Sequence, residues 1–379
     1  MPKILLIADS DALWTKRAVE YLLLPAGYEI VIFPIWGHKG QFDDYYREHG
    51  VTVYRDPHRL PVIRHIPRAR MWARIALNAR DLAKYGPFDV VHNHYLSQRD
   101  LALGLRVSRR FHARWVCTFW GSDLLRASDR ALRQMLPYLR RCDRLTACNE
   151  RMRDKLRQSC GEELYQKTRM TIWGQDGFAA IDRVLSTETR EDCRAHYGIR
   201  PGNYVVSIGY SADNAQHQLE VVEALSALPK ETLSHMTLVL QQTYVKRDPA
   251  YMERVRQAAE ALPCQAVVLR DFLDLTQTAR LRLCADLFIL AISTDAFAAS
   301  MQEYLYAGAV FLMGDWLGYP QLDELGIPIN RFHEYKELPA LVEQAMNGKL
   351  SKATAEQRAL LPGHYSWDAV RKDWLGLYE

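Results

Sequence analysis

Strand-like apolar runs alternate with amphipathic helical stretches along almost the whole chain, and the alternation runs its course twice. In the first series, Lys3–Ala8, Tyr28–Pro34, Val51–Tyr54, Phe88–His92, Arg114–Thr118, Arg144–Cys148 and Arg169–Ile172 read as strands. Between them Ala12–Leu24, Pro67–Tyr85, Leu101–Phe111, Ala131–Arg140 and Arg151–Ser159 carry helical periodicity. Strands separated by helices cannot pair as hairpins, so the pattern predicts parallel crossovers and a doubly wound sheet. It loosens after Trp173-Gly174-Gln175-Asp176-Gly177, where Ile181–Thr187 reads as connector and Arg190–Tyr197 as a short helix, and restarts at Tyr204. Tyr204–Ile208, Met236–Leu240, Gln265–Leu269, Leu287–Leu290 and Ala309–Met313 then read as strands. The chain closes on a Trp-rich amphipathic helix, Trp367–Tyr378, after Gly363-His364-Tyr365-Ser366. The expected architecture is α/β, with two Rossmann-like domains facing across a cleft: residues 1–175 together with a returning helix at 364–379, and residues 176–363 as linker and second domain. Ligands are expected where strand carboxyl ends meet the cleft.

A chain of 379 residues exceeds one ordinary core, in keeping with two domains. Its longest apolar runs, such as Ala285–Ile292, are too short to span a bilayer, and the start, Met1-Pro2-Lys3-Ile4-Leu5, enters a strand without the pattern of a secretion signal. A cytoplasmic protein is the expectation. The seven cysteines form no CxxC pair and are odd in number, which argues for free thiols over a disulfide framework or structural zinc. Charge is uneven: Tyr46–Cys160 holds 24 Lys/Arg against 10 Asp/Glu, nearly all the cations being Arg.

The segment Thr294–Glu303 carries the most chemical information. Asp295 leaves a strand, small residues follow, and a helix begins that contains Glu303 eight positions on. A helix start of this kind leaves amides and a positive dipole end aimed at an anion such as a diphosphate, here through Ser300 and Met301. A carboxylate one turn in suits ribose hydroxyls; the plain alternative is a solvent-exposed Glu303. Gly209-Tyr210-Ser211 after the first strand of the second series, with Tyr244 and Phe272 further on, complete the candidate donor set. In the first half, His92 and His94 end a strand, Asp123 sits in a turn, and Asp9 and Asp11 follow the first strand. Of these, His94, Asp123 and Asp11 join Asp295 as candidate catalytic residues, with an N-cap role for Asp123 and a backbone-satisfied histidine as the alternatives.

These segments resemble those of GT-B nucleotide-sugar glycosyltransferases, in particular the large retaining family of bacterial polysaccharide synthesis. Its Glu-x7-Glu motif falls on Asp295 and Glu303, so the first acid is Asp here. Phe88–Tyr95, Thr118-Phe119-Trp120-Gly121-Ser122-Asp123, Ile172–Asp176 and Tyr365-Ser366-Trp367-Asp368 are similar to its acceptor-domain, turn, linker and final-helix stretches. Gly209–Asn214 and Thr243-Tyr244 resemble transferases that place an acetamido-dideoxyhexose on a lipid-linked intermediate of the bacterial envelope. The resemblance implies transfer of a sugar from a nucleotide-diphosphate donor to a glycan or polyprenyl-linked acceptor. It implies Glu303 on the ribose and Asp295 toward the sugar. The family's Arg and Lys near the Gly209 loop are missing, which leaves stereochemistry open and puts the diphosphate on amides, hydroxyls, His217 or Lys246. No metal-ligand spacing is present, so no metal or other cofactor is expected. A catalytically silent GT-B binding protein, and a GT-B epimerase or phosphorylase, remain as alternatives.

The stretch Arg64–Arg80 is basic and amphipathic. Arg68, Arg70, Trp72 and Arg74 are read as a face for an acceptor pyrophosphate or an anionic membrane, making the protein peripheral on the inner side of the cytoplasmic membrane; a solvated Arg face is the alternative. No zinc spacing or helix-turn-helix pattern supports nucleic acid.

Overall fold

The computed structural model describes residues 1–60, 65–243 and 248–379. The chain divides into two compact units, Met1–Gly174 with Trp367–Glu379, and Gln175–Ser366.

The first unit is built on a seven-stranded parallel sheet: β1 (Lys3–Ala8), β2 (Glu29–Pro34), β3 (Thr52–Val53), β4 (Val90–His94), β5 (Arg114–Thr118), β6 (Arg144–Ala147) and β7 (Thr168–Met170), in the order β3-β2-β1-β4-β5-β6-β7. β1 pairs on one side with β2 (Leu5↔Val31) and on the other with β4 (Leu5↔Val91). Winding reverses there, so the ends of β1 and β4 flank a topological switch point. The central strands are apolar on both faces because helices cover both, as a parallel sheet requires. Ile4, Leu6, Ile30, Ile32, Val90 and Val116 pack with Val370, Trp374 and Leu377 of the chain's end in one core.

That end is the helix Trp367–Leu375. Trp374 Nε1 donates to Ile172 O at 2.8 Å, and Arg371 Nε to Tyr21 O at 2.9 Å. Trp367 lies so close over Gly174 that a Cβ there would come within 2.5 Å of its indole. The helix begins at Trp367 because a preceding helix, Ala355–Tyr365, ends at extended Ser366. His364 and Tyr365 thus belong to that earlier helix, and not to the returning helix expected at 364–379.

The second unit carries a six-stranded parallel sheet: β8 (Tyr204–Ile208), β9 (Met236–Gln241), β10 (Gln265–Leu269), β11 (Leu287–Leu290), β12 (Val310–Gly314) and β13 (Asn330–Phe332), in the order β10-β9-β8-β11-β12-β13. Its switch point lies between β8 and β11. The expected connector after Gly177 is instead a helix, Gly177–Leu185. Phe178, Ile181 and Val184 recur at helical spacing and are buried, Ile181 and Val184 in one core with Leu281 and Cys284 and Phe178 against the Tyr306 ring, which gives the segment a core face that its glycine-led start conceals. All seven cysteines are free. No described helix is long and apolar enough to cross a membrane.

Replacing Trp374 by Ala removes a fully buried indole and its hydrogen bond. The first unit should lose about 3–5 kcal/mol in urea denaturation, and an unchanged midpoint would contradict the anchoring described.

Candidate functional site

In the second unit, the loops leaving β8 and β11 are tied together. The chain turns after β8 at Gly209, whose φ of +61° and the 2.8 Å approach of Gln216 Oε1 to a would-be Cβ leave room only for glycine. Gln216 Oε1 accepts from the Tyr210 amide at 3.2 Å. Across the gap, the Tyr210 hydroxyl donates to Asp295 Oδ1 at 3.1 Å, and His217 Nε2 lies 2.8 Å from Ser293 Oγ. Asp295 Oδ2 accepts from the Tyr319 hydroxyl at 2.7 Å and the Ala298 amide at 2.8 Å. Burial raises the Asp295 pKa in spite of these donors. Its oxygens brace the loop before the helix Ala299–Tyr306.

The first-turn amides of that helix, on Ala299, Ser300 and Met301, find no carbonyl partner among the described residues, as the geometry of a helix start dictates. The Ser300 side chain is buried, 6% exposed, and its Oγ also lacks a hydrogen-bond partner. Orphaned donors in a buried setting are uncommon in folded proteins and mark a place suited to an acceptor-rich ligand.

Glu303 follows one turn on, and it is not exposed. It is 4% accessible and takes a hydrogen bond from Arg282 Nε at 2.9 Å. Gly177 lies beside it, where a Cβ would sit 2.3 Å from Glu303 Oε1. Arg282 is buried to the same degree, donates to Gln241 Oε1 at 3.0 Å and stacks its guanidinium 4.4 Å from the Tyr304 ring. Burial works against its charge, but the Tyr304 hydroxyl and the Glu303 carboxylate outweigh it and push the pKa up. The solvent-exposed reading of Glu303 is therefore excluded, and the cation that holds it, Arg282, comes from the helix Leu275–Cys284. The sequence held a signal for it: Arg282 is the single charge in the apolar run Leu281-Arg282-Leu283-Cys284. Ser211 is buried and receives the Asp213 amide at 3.4 Å. Phe272 is 53% exposed and follows β10, the edge strand of the sheet. Tyr244 and Lys246 lie outside the described residues.

In the first unit, the end of β4 brings two histidines to one face. Both ring nitrogens of His92 are engaged, Nδ1 2.9 Å from the Tyr378 hydroxyl and Nε2 2.7 Å from Thr118 Oγ1. Burial lowers its pKa well below the usual imidazole range. His94 packs between Trp14 and Trp120, and burial pushes its pKa down to about 3. Trp120 Nε1 can only donate, and it lies 3.3 Å from His94 Nδ1. The neutral ring then carries its proton on Nε2. In this tautomer His94 can donate to an oxygen through Nε2 but cannot take a proton there, which disfavours it as a base. Asp123 accepts from the amides of Leu96, Trp120 and Gly121 at 2.8–3.0 Å, and burial raises its pKa to about 6. It therefore locks together the turns after β4 and β5. Asp11 accepts from the amides of Lys39 and Gln41 at 2.6 and 2.8 Å. Burial raises Asp9.

The basic helix, Pro67–Leu82, does not present its cations on one face. Arg68 and Trp72 are exposed, whereas Arg70 and Arg74 are only partly exposed and turn toward a cavity inside the unit. Among the described residues no cluster of three or more His, Cys, Asp or Glu side chains is placed to hold a metal ion.

Two doubly wound parallel sheets in succession, each with polar loops gathered at its switch point, give the chain the GT-B fold. Residues 21–175 match the family model described as Glycosyltransferase Family 4. The solved structure of HepE from Anabaena in complex with UDP-glucose is similar over 99% of both chains, at 16% identity and a TM-score of 0.73. A glycosyltransferase from Rickettsia africae is similar over 100% of this chain and 97% of its own, at 14% identity and a TM-score of 0.76. Sucrose-phosphate synthase from Thermosynechococcus elongatus covers 100% and 98%, at 14% identity and a TM-score of 0.71. Identities this low establish the fold. No curated protein matches the sequence.

Two outcomes follow from the buried charges. Arg282→Met strands the Glu303 carboxylate and should cost about 3–5 kcal/mol in denaturant titrations, while adding Glu303→Leu should restore much of it; an undiminished single variant would contradict the pairing. The folded pKa values of His92 and His94 lie below the ordinary 6.5, so the stability that their neutral rings confer is present above pH 6.5 and is lost as pH falls, for His94 toward about 3. His94 contributes a slope of about 1.4 kcal/mol per pH unit through its window, and His94→Asn should reduce the measured slope. An unaltered slope would show that the fold does not hold this ring neutral.

Proposed function

We propose that the protein is a glycosyltransferase that moves a sugar, a hexose-type residue, from a nucleotide-diphosphate donor to a glycan or lipid-linked acceptor. The observation that carries this reading is the set of unpartnered donors at Ala299–Met301, including the buried Ser300 Oγ, at the switch point of the second unit. In this reading they bind the diphosphate, and Glu303, held by Arg282, accepts from the ribose hydroxyls. The Gly209 loop lies opposite, and Asp295 keeps the loop in shape near the sugar. The leaving diphosphate is stabilised by oriented amides, hydroxyls and the helix dipole rather than by a bound divalent cation. The Glycosyltransferase Family 4 match in the first unit and the UDP-glucose held by HepE support a UDP-type donor as the first to try. The acceptor belongs on the first unit, where His94 Nε2 can hold its oxygen and Asp123 or Asp11 shapes the surrounding turns. Cell-surface polysaccharide or glycolipid assembly at the cytoplasmic membrane is the setting, with exposed Arg68 and Trp72 as the peripheral contact.

One observation favours a second reading, a GT-B protein that binds a nucleotide sugar without turning it over. The oxygens of Asp295 are already occupied by Tyr210, Tyr319 and Ala298, and His94 lacks an acceptor nitrogen on its free side.

Calorimetry with UDP, and hydrolysis of UDP-sugars with and without acceptors, separate the readings. Glu303→Gln keeps an acceptor for Arg282 and should weaken UDP binding by about tenfold or more, the loss of a charge-assisted ribose contact. Binding without any donor cleavage would favour the silent protein. UDP binding indifferent to Glu303→Gln would remove the ribose assignment.

A further inference from the structure

A cavity of about 880 Å³ opens in the first unit, past the end of β2, beneath the helices Pro67–Leu82 and Gln98–Phe111. Its volume lies within the roughly 300–1,000 Å³ of pockets that enclose small molecules. Four arginines line it against two aspartates. Three of the four are satisfied within the unit. Arg74 grips Asp56 through Nε at 3.0 Å and through Nη2, and Asn78 Nδ2 reinforces the same oxygen at 3.1 Å. Burial alone would raise Asp56, but its donors, Asn78, the His58 amide and Arg74, hold it below the usual carboxylate range, so it is ionised and neutralises Arg74. Arg99 reaches Asp100 at 2.9 Å and Ile35 O, and Arg55 reaches Asp43 at 2.7 Å.

Arg70 is different. Its Nε is buried and has no hydrogen-bond partner, and it makes no ion pair among the described residues. A guanidinium drawn partly out of water without a counter-charge is unfavourable, so the site is set up for an anion that the described residues do not provide. Arginine's planar fork matches phosphoryl oxygens two at a time. In the same lining, Met71 and Ile75 give an apolar wall, and Trp36 stands 58% exposed in a T-shaped contact with Tyr95, 4.6 Å between ring centroids. An exposed indole and an unpaired arginine in the lining of one cavity suit a sugar that carries a phosphoryl group, since the sugar ring offers C–H bonds to the aromatic side chain and the phosphate offers charge to the guanidinium.

We propose that this cavity binds a phosphoryl-bearing sugar headgroup, with Arg70 on the phosphoryl oxygens and Trp36 against the ring. It deepens the proposed function, on which it rests only in treating that ligand as the acceptor. The phosphoryl group can come from a soluble sugar phosphate or from the head of a polyprenyl-linked intermediate, and the chemistry at Arg70 is the same.

The test is calorimetry on the full chain with α-D-glucose 1-phosphate, glucose and glucuronate, and co-sedimentation with phosphatidylcholine vesicles with and without polyprenyl phosphate. Glucose 1-phosphate or polyprenyl phosphate should bind, glucose should not, and Arg70→Gln should weaken the phosphoryl ligand by about tenfold or more with an unchanged melting profile. Trp36→Ala should weaken the sugar phosphate but leave Arg70-dependent binding of inorganic phosphate. Binding of the soluble ester alone assigns a soluble acceptor; binding of the doped vesicles alone assigns a lipid-linked one. No phosphoryl binding, binding indifferent to Arg70→Gln, or a preference for glucuronate would overturn the proposal. UDP titrated in parallel separates the two claims. Arg70-dependent phosphoryl binding without any UDP-sugar binding keeps the pocket and removes the glycosyltransferase reading. UDP-sugar turnover with an indifferent Arg70 does the reverse.

Discussion

A parallel strand can reach its neighbour only by a crossover, and that constraint decides where this protein can bind anything. Strands buried on both faces must be apolar along their length, so polar chemistry is pushed to their ends. Crossovers that wind in opposite directions from a central strand leave one gap per sheet at the carboxyl end. In the first sheet the gap lies at β1 and β4, and the residues that follow are Asp9, Ser10, Asp11 and the His94–Leu96 turn. In the second it lies at β8 and β11, followed by the Gly209 loop and the Ser293–Ser300 segment. Every candidate catalytic residue lies in or beside one of these loops, because there the chain leaves the apolar sheet and its polar groups can face a ligand.

The second site depends on a buried charge pair. Ion pairs in a protein interior recover their desolvation only when every remaining donor and acceptor is also met. Arg282 comes near that condition, with Glu303, Gln241 and the Tyr304 ring around it. The pair fixes the inner face of the Ala299–Tyr306 helix, and Gly177 lets the neighbouring helix close over it without a clash. With its inner face fixed, the helix start is held too, and its free amides stay aimed at the same place. For the proposed reaction this would be preorganisation, with donors that do not have to move when charge develops on a leaving group.

Much of this was legible from residue order alone. Periodicity revealed both sheets, since strand and helix repeats differ plainly in Lys3–Ala8 and Pro67–Leu82. Helix Gly177–Leu185 was missed because a glycine-rich lead-in masks its apolar stripe, and Ala355–Tyr365 because Pro362 and Gly363 look like a break where the helix in fact continues to Tyr365. At the site, the small-residue helix start could be read from Ala298-Ala299-Ser300, since it depends on local chain geometry. The partnership of Arg282 with Glu303 could not, because it joins two crossover helices whose register on the sheet is a tertiary property. The tautomer of His94 was hidden for the same reason: it is set by an indole 26 positions away.

The basic character of the first half illustrates why formal charge is a poor guide to binding. Of its arginines, several are spent on neighbours: Arg74 on Asp56, Arg99 on Asp100, Arg153 on Glu150. Others, such as Arg68, stand in solvent, where salt screens their field within about 8–10 Å. What discriminates between ligands is the cation that is both withdrawn from water and unmatched, because its field is least diluted. Arg70 comes nearest to that position, partly exposed but with a buried Nε and no ion pair among the described residues, whereas the site proposed at Ala299–Met301 would meet an anion with neutral dipoles. Dipoles favour a diphosphate without a fixed ion pair that would hold the product after transfer, while an unmatched guanidinium suits a group that stays attached to its sugar throughout the reaction.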